Sequence, residues 1–127
     1  MPTLSWSLNA EVQNGPKIAV AQTLAVESYD KTEVTIPPTT PTEVDIPGDR
    51  VQFLAILADR YGDKLTYQVG DGAAIELDAP QILTGAGAIG LLGKDLTKLV
   101  FTNALDDGKP SPRPVAVQIL VGRKATK

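Results

Sequence analysis

Apolar residues recur at every second position along much of this 127-residue chain, and that period constrains the fold more than any other feature. In the segment 3–13, TLSWSLNAEVQ, the even positions are apolar and the odd positions are polar. Successive side chains of a β-strand point to opposite faces, so this pattern predicts a strand with one apolar and one polar face. The tripeptide Asn14-Gly15-Pro16 then predicts a turn.

The next segment, 17–29, repeats the alternation with a more apolar composition. Its sequence, KIAVAQTLAVESY, places Ile18, Val20, Leu24 and Val26 on one side and alanines on much of the other. We therefore expect a strand that is partly covered on both faces. A helix can also be drawn through the alanines, but the β-branched residues and the short preceding turn favour a strand.

A Pro-rich bend at 37–47 accompanies a short internal echo, TEVTIP at 32–37 and TEVDIP at 42–47. Each copy has two apolar residues at i and i+2 and ends in proline, which predicts two short extended segments. Sheet edges tolerate the missing N–H of proline, so we place both segments at edges. A flexible linker between two domains is the alternative, but the 47 residues before it would make a very small domain.

The middle of the chain carries three further strand signals. RVQFLAILA at 50–58 is apolar on both parities, which predicts a central strand covered on both faces. KLTYQV at 64–69 and AAIELD at 73–78 flank the turn sequence Gly70-Asp71-Gly72 and predict a hairpin.

Two more strand signals follow, KLVFTNA at 98–104 and PVAVQILVG at 114–122, on either side of a predicted exposed loop at 106–114. The chain therefore has about eight to ten short strands and no convincing amphipathic helix. This pattern predicts an all-β fold, an antiparallel β-sandwich or a jelly-roll-like barrel, as a single domain over residues 1–127.

Two missing residue types narrow the chemistry. The chain has no cysteine, which excludes disulfides and thiolate metal sites, and no histidine, the commonest general base and transition-metal ligand. Its net charge is −3 and its only basic cluster is the tail GRKATK at 122–127, so we expect no nucleic-acid partner. The start, 1–12, lacks the pattern of a secretory signal, and no apolar run reaches membrane-spanning length. We expect a soluble protein made in the cytosol, with no membrane partner.

The stretch LTGAGAIGLLGKD imitates two nucleotide-binding motifs. Gly85, Gly87 and Gly90 have G-x-G-x-x-G spacing, and the end of the stretch resembles a P-loop. The P-loop match fails, because Ala88 and Asp95 stand where that motif needs glycine and a hydroxyl residue. No βαβ pattern surrounds the stretch, so we interpret these glycines and Gly93 as bulges and positive-φ residues where a strand turns a corner, and expect no cofactor.

Carboxylates offer two further candidate sites. Asp59, Asp63 and Asp71 lie in adjoining turns, but their spacing fits no EF-hand loop and aspartate is a favoured turn residue. Glu33 and Glu43 are equivalent in the echo and suggest a glycosidase-like pair, although exposed strand positions favour solvated carboxylates. We predict no metal site and no catalytic pair.

Neither serine nucleophiles nor aromatic platforms are well supported. The serines lack a G-x-S-x-G context, and there is no histidine to activate them. Trp6, Tyr29, Tyr61 and Tyr67 could stack on sugars, but with so few aromatics most are expected in the core or in cross-strand pairs. No catalytic, cofactor-binding or metal-binding residue is assigned, and the chain is predicted not to be an enzyme.

The segment VQFLAILADRYGDKLTYQVGDGAAIELDAPQILTGAGAIGLL, with LTKLVFTNA further on, resembles small β-sandwich structural proteins of tailed bacteriophages. Those proteins often show a hydrophobic strand ending in a turn, a hairpin, a G-x-x-x-L run and an L-x-F/I-T-N strand, which is 99–103 here. The likeness covers roughly Val51 to Val121.

The resemblance implies a virion component, either a capsid decoration (cement) protein or a small tail or baseplate component. Cement-type members usually act as trimers that bridge capsid subunits. The implied partners are therefore a major capsid protein or another virion protein, and further copies of this chain. The resemblance carries over no functional residues.

Our expectation is a non-enzymatic virion structural protein, foremost a capsid decoration protein that stabilises the phage head at subunit junctions. A carbohydrate-binding β-sandwich module is the alternative from another class, and it predicts exposed aromatics in one groove. The N-terminal strand, with Leu4, Trp6 and Leu8, is the candidate docking arm. Packing in the core is the role that the pattern favours for all three residues.

Overall fold

The computed structural model describes residues 3–26, 28–38, 40–46, 51–70, 72–92, 98–104 and 114–123. Within them lie ten strands: β1 (Thr3–Glu11), β2 (Lys17–Ala25), β3 (Ser28–Ile36), β4 (Thr42–Asp45), β5 (Val51–Ala58), β6 (Gly62–Val69), β7 (Ile75–Leu77), β8 (Gln81–Thr84), β9 (Lys98–Asn103) and β10 (Val115–Arg123). One helical turn, α1 (Ala86–Ile89), continues as a 3₁₀ turn at Gly90–Leu92. The all-β prediction is confirmed, and the predicted loop at 106–114 lies, except for its last residue, outside the described residues.

Strands β3 to β10 form two four-stranded antiparallel sheets. The first sheet has the order β3-β10-β5-β8, and the second has the order β4-β9-β6-β7. Consecutive strands lie in opposite sheets except β6 and β7, which form the predicted hairpin. Eight strands connected in this way make a jelly roll. In the described residues the only β-bridge between the two sheets is an isolated one between Pro38 and Asn103, so the architecture is a sandwich and not a closed barrel.

The core lies between the two sheets and follows the alternation of the sequence. Strand β10 buries the odd-numbered residues from Val115 to Val121 and leaves the residues between them exposed or half-buried. On the second sheet, Tyr67 and Phe101 lie directly opposite each other with ring centroids 5.7 Å apart. The core cluster contains no residue of β1 or β2, so the sandwich buries its apolar surface without them.

The two halves of the sequence echo are edge strands, as predicted. Strand β3 is an edge of the first sheet and β4 an edge of the second, and the Pro-rich bend carries the chain between the sheets. Asn103 Nδ2 donates a hydrogen bond to the Ile36 carbonyl at 3.3 Å and ties the edge of one sheet to the other. Ile36 of β3 and Val44 of β4, the strands on either side of the bend, both belong to one core cluster.

Strand β5 shows why both parities of its sequence are apolar. It lies inside the first sheet, and its register against β10 shifts at a β-bulge beside Val51. Val51, Leu54 and Ile56 belong to the core, whereas Phe53 is buried outside the core cluster. Leu57 shares the outward parity of Phe53 and is exposed. The prediction that β5 is a central strand is confirmed. On its outer face, however, only the half of the strand around Phe53 is buried.

The glycine-rich stretch differs from the prediction of a bulged strand. The chain leaves β8 at Gly85, which has φ 90° and ψ 151°, and then makes α1 and the 3₁₀ turn. Gly85 N–H donates to the Gln52 carbonyl at 2.8 Å. Gly87 and Gly90 have no positive φ, and nothing lies within 4 Å of a Cβ added at either position. One helical turn is too short to show a 3.6-residue period, which is why the pattern did not reveal it.

Strands β1 and β2 form a separate two-stranded sheet, the N-terminal hairpin, paired from Thr3–Ala25 to Glu11–Lys17. Almost every residue of both strands is exposed. The prediction of a strand is confirmed for residues 17–25, whereas Ser28 and Tyr29 begin β3. The expectation that this strand is partly covered on both faces is wrong. Alanine fits a covered face because it is small, and on an exposed face it places little apolar surface in water. The alanines of β2 therefore did not show whether its second face is covered or exposed.

Candidate docking surface on the N-terminal hairpin

The hairpin has one apolar face, which we call the arm face. Residues directly opposite each other in an antiparallel pair lie on the same face, so the register of β1 and β2 defines its members. The pairs that form it are Leu4–Leu24, Trp6–Gln22, Leu8–Val20 and Ala10–Ile18. Seven of these eight side chains are apolar and none carries a charge.

The reverse face of the hairpin is polar or small. Its pairs are Thr3–Ala25, Ser5–Thr23, Ser7–Ala21, Asn9–Ala19 and Glu11–Lys17. This face carries hydroxyls, an amide and a pair of opposite charges, which are well solvated by water. The apolar arm face is not. The hairpin therefore has the two-sided pattern of a strand pair with one face packed on protein and one face solvated.

The turn that joins the strands is well defined. Asn14 has φ 60°, a left-handed conformation that asparagine tolerates. Gly15 N–H donates to the Val12 carbonyl at 2.7 Å, and Val12 N–H donates to the Pro16 carbonyl at 2.9 Å. This turn fixes the register, and with it the alignment of apolar side chains on the arm face.

The arm face touches the sandwich at one end of the hairpin, which we call the root. A Cβ added at Gly122 would lie 3.1 Å from Leu4 Cδ1, 3.3 Å from Val26 Cγ1 and 3.5 Å from Phe53 Cβ. Gly122 follows the core residue Val121 on β10, so it faces outward from the first sheet. Leu4 thus packs on the outer face of the first sheet.

Beyond the root the arm face is open to solvent. Leu8 is 45%, Val20 40% and Ile18 64% exposed. Trp6 and Leu24 are half-buried. A single apolar side chain in water is ordinary, but an aligned row on one face of a two-stranded sheet is a contiguous patch of the kind that binds another protein.

Two buried N–H groups near this region lack an acceptor. Trp6 Nε1 and Arg123 Nε are inaccessible to solvent and have no hydrogen-bond partner within the described part of the chain. Arg123 pairs with Ser28 at the start of β3, directly after the hairpin. Each such buried donor costs about 1–3 kcal/mol, so a rearrangement that supplies an acceptor is favourable.

A second exposed apolar patch lies on the outer face of the first sheet, and we call it the outer-face patch. Leu120, Ala55 and Ile82 form one row across three strands, and the row continues on β3 with the charged Lys31, which pairs with Leu120. Ile82 is 46% exposed, and Leu57 of β5 is also exposed. Tyr29, which is 60% exposed, flanks the row beside the root. Tyr29 and Leu120 also line a shallow groove of about 370 Å³ with Leu4.

The structure places the three predicted docking residues together on the arm face. Leu4 lies at the root, Trp6 is half-buried and Leu8 is exposed, and none of them belongs to the core cluster. The favoured expectation, core packing for all three, is therefore wrong. Sequence reasoning did not assign Val20 and Ile18 to the docking arm, although their alternation in phase across the turn was a usable signal.

The suggested pair of glutamates is not a pair. Glu33 lies on β3 of the first sheet and Glu43 on β4 of the second, and each is exposed. Lys31 Nζ lies 3.3 Å from Glu33 Oε1, and Lys98 Nζ lies 3.5 Å from Glu43 Oε1. Repetition of a motif in sequence did not imply proximity, because the bend sends the two copies to different sheets.

Asp59 has a structural contact in its turn. Its Oδ1 accepts a hydrogen bond from Ala116 N–H at 3.1 Å, and its own N–H donates to the Ala116 carbonyl at 3.0 Å. Asp63 is exposed at the start of β6, and Asp71 lies outside the described residues. Within the described ranges, no group of three or more acidic side chains is placed to hold a metal ion.

The four aromatics considered for sugar stacking do not share one groove. Tyr67 is fully buried, and its hydroxyl donates to Gln81 Oε1 at 2.5 Å, a bond that joins the two sheets. Burial raises the pKa of Tyr67 to about 12. The Tyr61 hydroxyl accepts from Ala58 N–H at 2.9 Å. Trp6 lines a depression on the hairpin, whereas Tyr29 lines the groove at the root.

The glycine-rich stretch follows a strand and continues as a helical turn after Gly85, as a dinucleotide-binding motif does. The sheet around it, however, is not that of a dinucleotide-binding fold. Strand β8 pairs antiparallel with β5 at the edge of its sheet, whereas the dinucleotide fold needs a parallel βαβ unit. The helix α1 has four residues and carries no basic residue in its last turn. The stretch serves to return the chain from the first sheet toward the second.

No family model, no curated protein and no solved structure matches this chain. Among the residues described, no helix combines the length and the apolar character needed to cross a bilayer.

Proposed function

We propose that this chain is a non-enzymatic structural protein that docks onto other protein subunits through the arm face of its hairpin. The finer form of the proposal follows the sequence resemblance: a capsid decoration protein that stabilises a phage head at subunit junctions, as a trimer. A small tail or baseplate component would use the same surface. The observation that carries the proposal is the row of exposed apolar side chains on the arm face, outside a sandwich that has its own core.

Energetics support a partner for the hairpin. An isolated two-stranded hairpin is marginally stable in water, and a third strand or a packed face is needed to hold it. The hairpin contacts the sandwich at Leu4 and leaves Leu8, Val20 and Ile18 exposed. Fully burying one such side chain contributes about 1.5–3 kcal/mol, so a protein surface that covers three of them stabilises both the hairpin and the complex.

The sandwich can serve as a rigid scaffold that carries the hairpin. Jelly rolls occur in both viral capsid domains and lectin domains. Because a fold does not define a function, the surface must decide between a structural and a sugar-binding role. The surface that stands out is apolar and extended, which fits a protein partner better than a sugar. Tyr29 and Trp6, which line different depressions, give little support to a sugar-stacking platform.

Co-sedimentation with capsids tests the proposal. Capsids are assembled from the major capsid protein of the same genome, mixed with the purified chain and separated on a density gradient. The wild-type chain is expected to migrate with the capsids. The variant Leu8→Ser/Val20→Ser, which changes two directly opposed arm-face residues, is expected to bind at least about tenfold more weakly because it loses apolar burial.

A matched control uses the reverse face. Ser7 and Ala21 are directly opposite each other there, so Ser7→Ala/Ala21→Ser alters the adjacent pair without changing the composition of the chain. This control is expected to bind as the wild type does. A wild-type chain that stays at the top of the gradient, or an arm-face variant that binds as well as the control, contradicts the proposal.

A further inference from the structure

We infer that Asn14 is a site of spontaneous covalent modification, at which the backbone nitrogen of Gly15 closes a succinimide ring that opens to isoaspartate. The folded turn of the hairpin slows this reaction, so its rate follows the opening of the turn. The inference does not rest on the proposed function, because it concerns only the chemistry and the conformation of the turn.

The reaction needs no co-reactant other than water. The Gly15 nitrogen loses its proton to solvent and attacks Asn14 Cγ, so a new C–N bond forms. The Cγ–Nδ2 bond breaks, and the departing nitrogen takes up a proton from solvent and leaves as ammonia. Water then opens the ring: cleavage at the main-chain carbonyl of residue 14 gives isoaspartate, and cleavage at Cγ gives aspartate. Nothing is oxidised or reduced, and a neutral amide becomes a carboxylate.

Asn14 has the most reactive neighbour among the three asparagines of the chain. It is followed by glycine, which has no Cβ to hinder the approach of its nitrogen, whereas Asn9 and Asn103 are each followed by alanine. Asn14 and Gly15 are exposed, so water reaches the reacting atoms. Asn103 is buried, and its Nδ2 donates to the Ile36 carbonyl. We therefore expect modification at Asn14 before the other two.

The conformation of the turn opposes ring closure. Asn14 is the third residue of a β-turn from Val12 to Gly15, which is closed by the hydrogen bond from Gly15 N–H to the Val12 carbonyl at 2.7 Å. This N–H carries the proton that must leave, so its hydrogen bond retains the proton. The φ of 60° at Asn14 belongs to the same closed turn. The reaction therefore proceeds from conformations in which the turn has opened.

Opening is accessible because the turn lies at the free end of the hairpin. The root, where Leu4 contacts Gly122, lies at the opposite end. A two-stranded hairpin is only marginally stable, and local opening of such a segment requires less free energy than global unfolding. The native chain is therefore expected to react at Asn14 while the sandwich stays folded.

The isoaspartate product changes the hairpin more than the aspartate product does. Isoaspartate inserts an additional carbon atom into the main chain of the turn, whereas aspartate leaves the main chain unaltered. The turn sets the register of β1 and β2. Isoaspartate is therefore expected to weaken the hydrogen bond between Gly15 and Val12 and the strand pair nearest to the turn, Glu11 with Lys17.

Timed incubation above neutral pH, followed by peptide mapping with mass spectrometry, tests the site. Deamidation is expected at Asn14 before Asn9 and Asn103, and an isoaspartyl methyltransferase is expected to methylate the same peptide. The increase in mass separates this reaction from isomerisation of the Asp-Gly sequences at 71–72 and 107–108, which leaves the mass unchanged. Earlier deamidation at Asn9 or Asn103, or an unmodified Asn14, would refute the site.

Gly15→Ala is the matched variant, because it keeps Asn14 and adds the hindering Cβ. Gly15 has no positive φ, and the added Cβ would lie 3.2 Å from the Val12 side chain, which is exposed and can shift. In guanidinium chloride, where both sites are unfolded, the variant is expected to deamidate at Asn14 as slowly as at Asn9. A variant that deamidates at Asn14 as fast as the wild type would contradict the role of Gly15.

The wild-type chain in guanidinium chloride tests the protection by the turn. Unfolding removes the hydrogen bond between Gly15 and Val12, so deamidation at Asn14 is expected to become at least about twofold faster. This ratio corresponds to the lower limit for the net contribution of one hydrogen bond. A rate that stays equal or falls on unfolding would show that the folded turn does not slow the reaction.

Hydrogen exchange tests the effect of the product on the hairpin. The isoaspartate form, purified by ion exchange, is expected to exchange the amides of β1 and β2 near the turn faster than the wild type does. Asn14→Asp has the same added charge on an unaltered main chain, so it is the control and is expected to exchange as the wild type does. Equal exchange in the isoaspartate form would refute the disturbed pairing, and faster exchange in Asn14→Asp would assign the effect to charge.

Discussion

Leu4 of the hairpin packs over Gly122 of the last strand, and a Cβ at Gly122 would lie 3.1 Å from Leu4 Cδ1. The missing side chain at position 122 lets the hairpin approach the first sheet closely. Val26 and Phe53, both buried, complete this contact. It anchors one end of an otherwise exposed hairpin and fixes which face of the hairpin turns toward protein.

The first prediction concerns this contact. Gly122→Ala is expected to lower the free energy of unfolding by about 1 kcal/mol, measured by urea denaturation. Overpacking against Leu4 and Val26 costs about 1–3 kcal/mol, which exceeds the roughly 0.5–1 kcal/mol gained by replacing a strand glycine. Emission from Trp6, the one tryptophan of the chain, reports whether the hairpin moves. A variant as stable as the wild type, with unchanged emission, would show that the contact is not tight.

The second prediction separates two glycines of one stretch. Gly85→Ala is expected to destabilise the protein by about 1–3 kcal/mol, because φ 90° with ψ 151° is a conformation nearly restricted to glycine. Gly87→Ala is expected to be neutral or to stabilise by up to about 1 kcal/mol, because it lies inside α1 with open space around its Cα. Thermal denaturation of both variants decides the matter, and equal losses would contradict the assigned backbone conformation.

The third prediction concerns the bond between Tyr67 and Gln81. Gln81→Ala leaves a buried hydroxyl without its acceptor and is expected to cost about 1–3 kcal/mol. Tyr67→Phe leaves the side-chain oxygen of the half-buried Gln81 without its donor, and is expected to lower the free energy of unfolding by about 0.5–1.5 kcal/mol. In a double-mutant cycle the combined variant should lose less than the sum. Additive losses would mean that the bond does not join the sheets in solution.

The fourth prediction concerns alkaline pH. Burial raises the pKa of Tyr67 from 10.0 to about 12, so the folded protein retains this proton where the unfolded chain has lost it. The free energy of unfolding should therefore fall between pH 10 and pH 12, with a contribution approaching about 1.4 kcal/mol per pH unit. Tyr67→Phe should remove this contribution. If the variant and the wild type lose stability in parallel from pH 9 to pH 12, the phenol is not buried in solution.

Much of the sandwich was predictable because a strand with one face in a core must alternate. Strand β10 and the hairpin β6–β7 follow directly from that rule. The placement of β3 and β4 at edges follows from the prolines that end the two echo segments. These features depend on local rules of backbone geometry, which a sequence states explicitly.

The sequence did not predict what packs against each apolar face. Alternation shows which side of a strand is apolar, but it does not show which other element covers that side. The outward apolar residues of β5 suggested a layer over the whole strand, but the root covers Phe53 and leaves Leu57 exposed. The alternation in β1 and β2 equally well described two strands of the sandwich. Within the described part of the chain, the structure shows that β1 and β2 pair only with each other. This separate pairing is what distinguishes the arm face from the core.

The accessibility of one side chain in the assembled state tests the central claim, that the arm face is the docking surface. Leu8→Cys and Ser7→Cys place single thiols on the arm face and on the reverse face, and their labelling by a maleimide is followed in dilute and in assembled protein. Assembly is expected to slow labelling at position 8 at least tenfold and to leave position 7 unchanged. Equal labelling of both thiols in the assembled state would contradict the account.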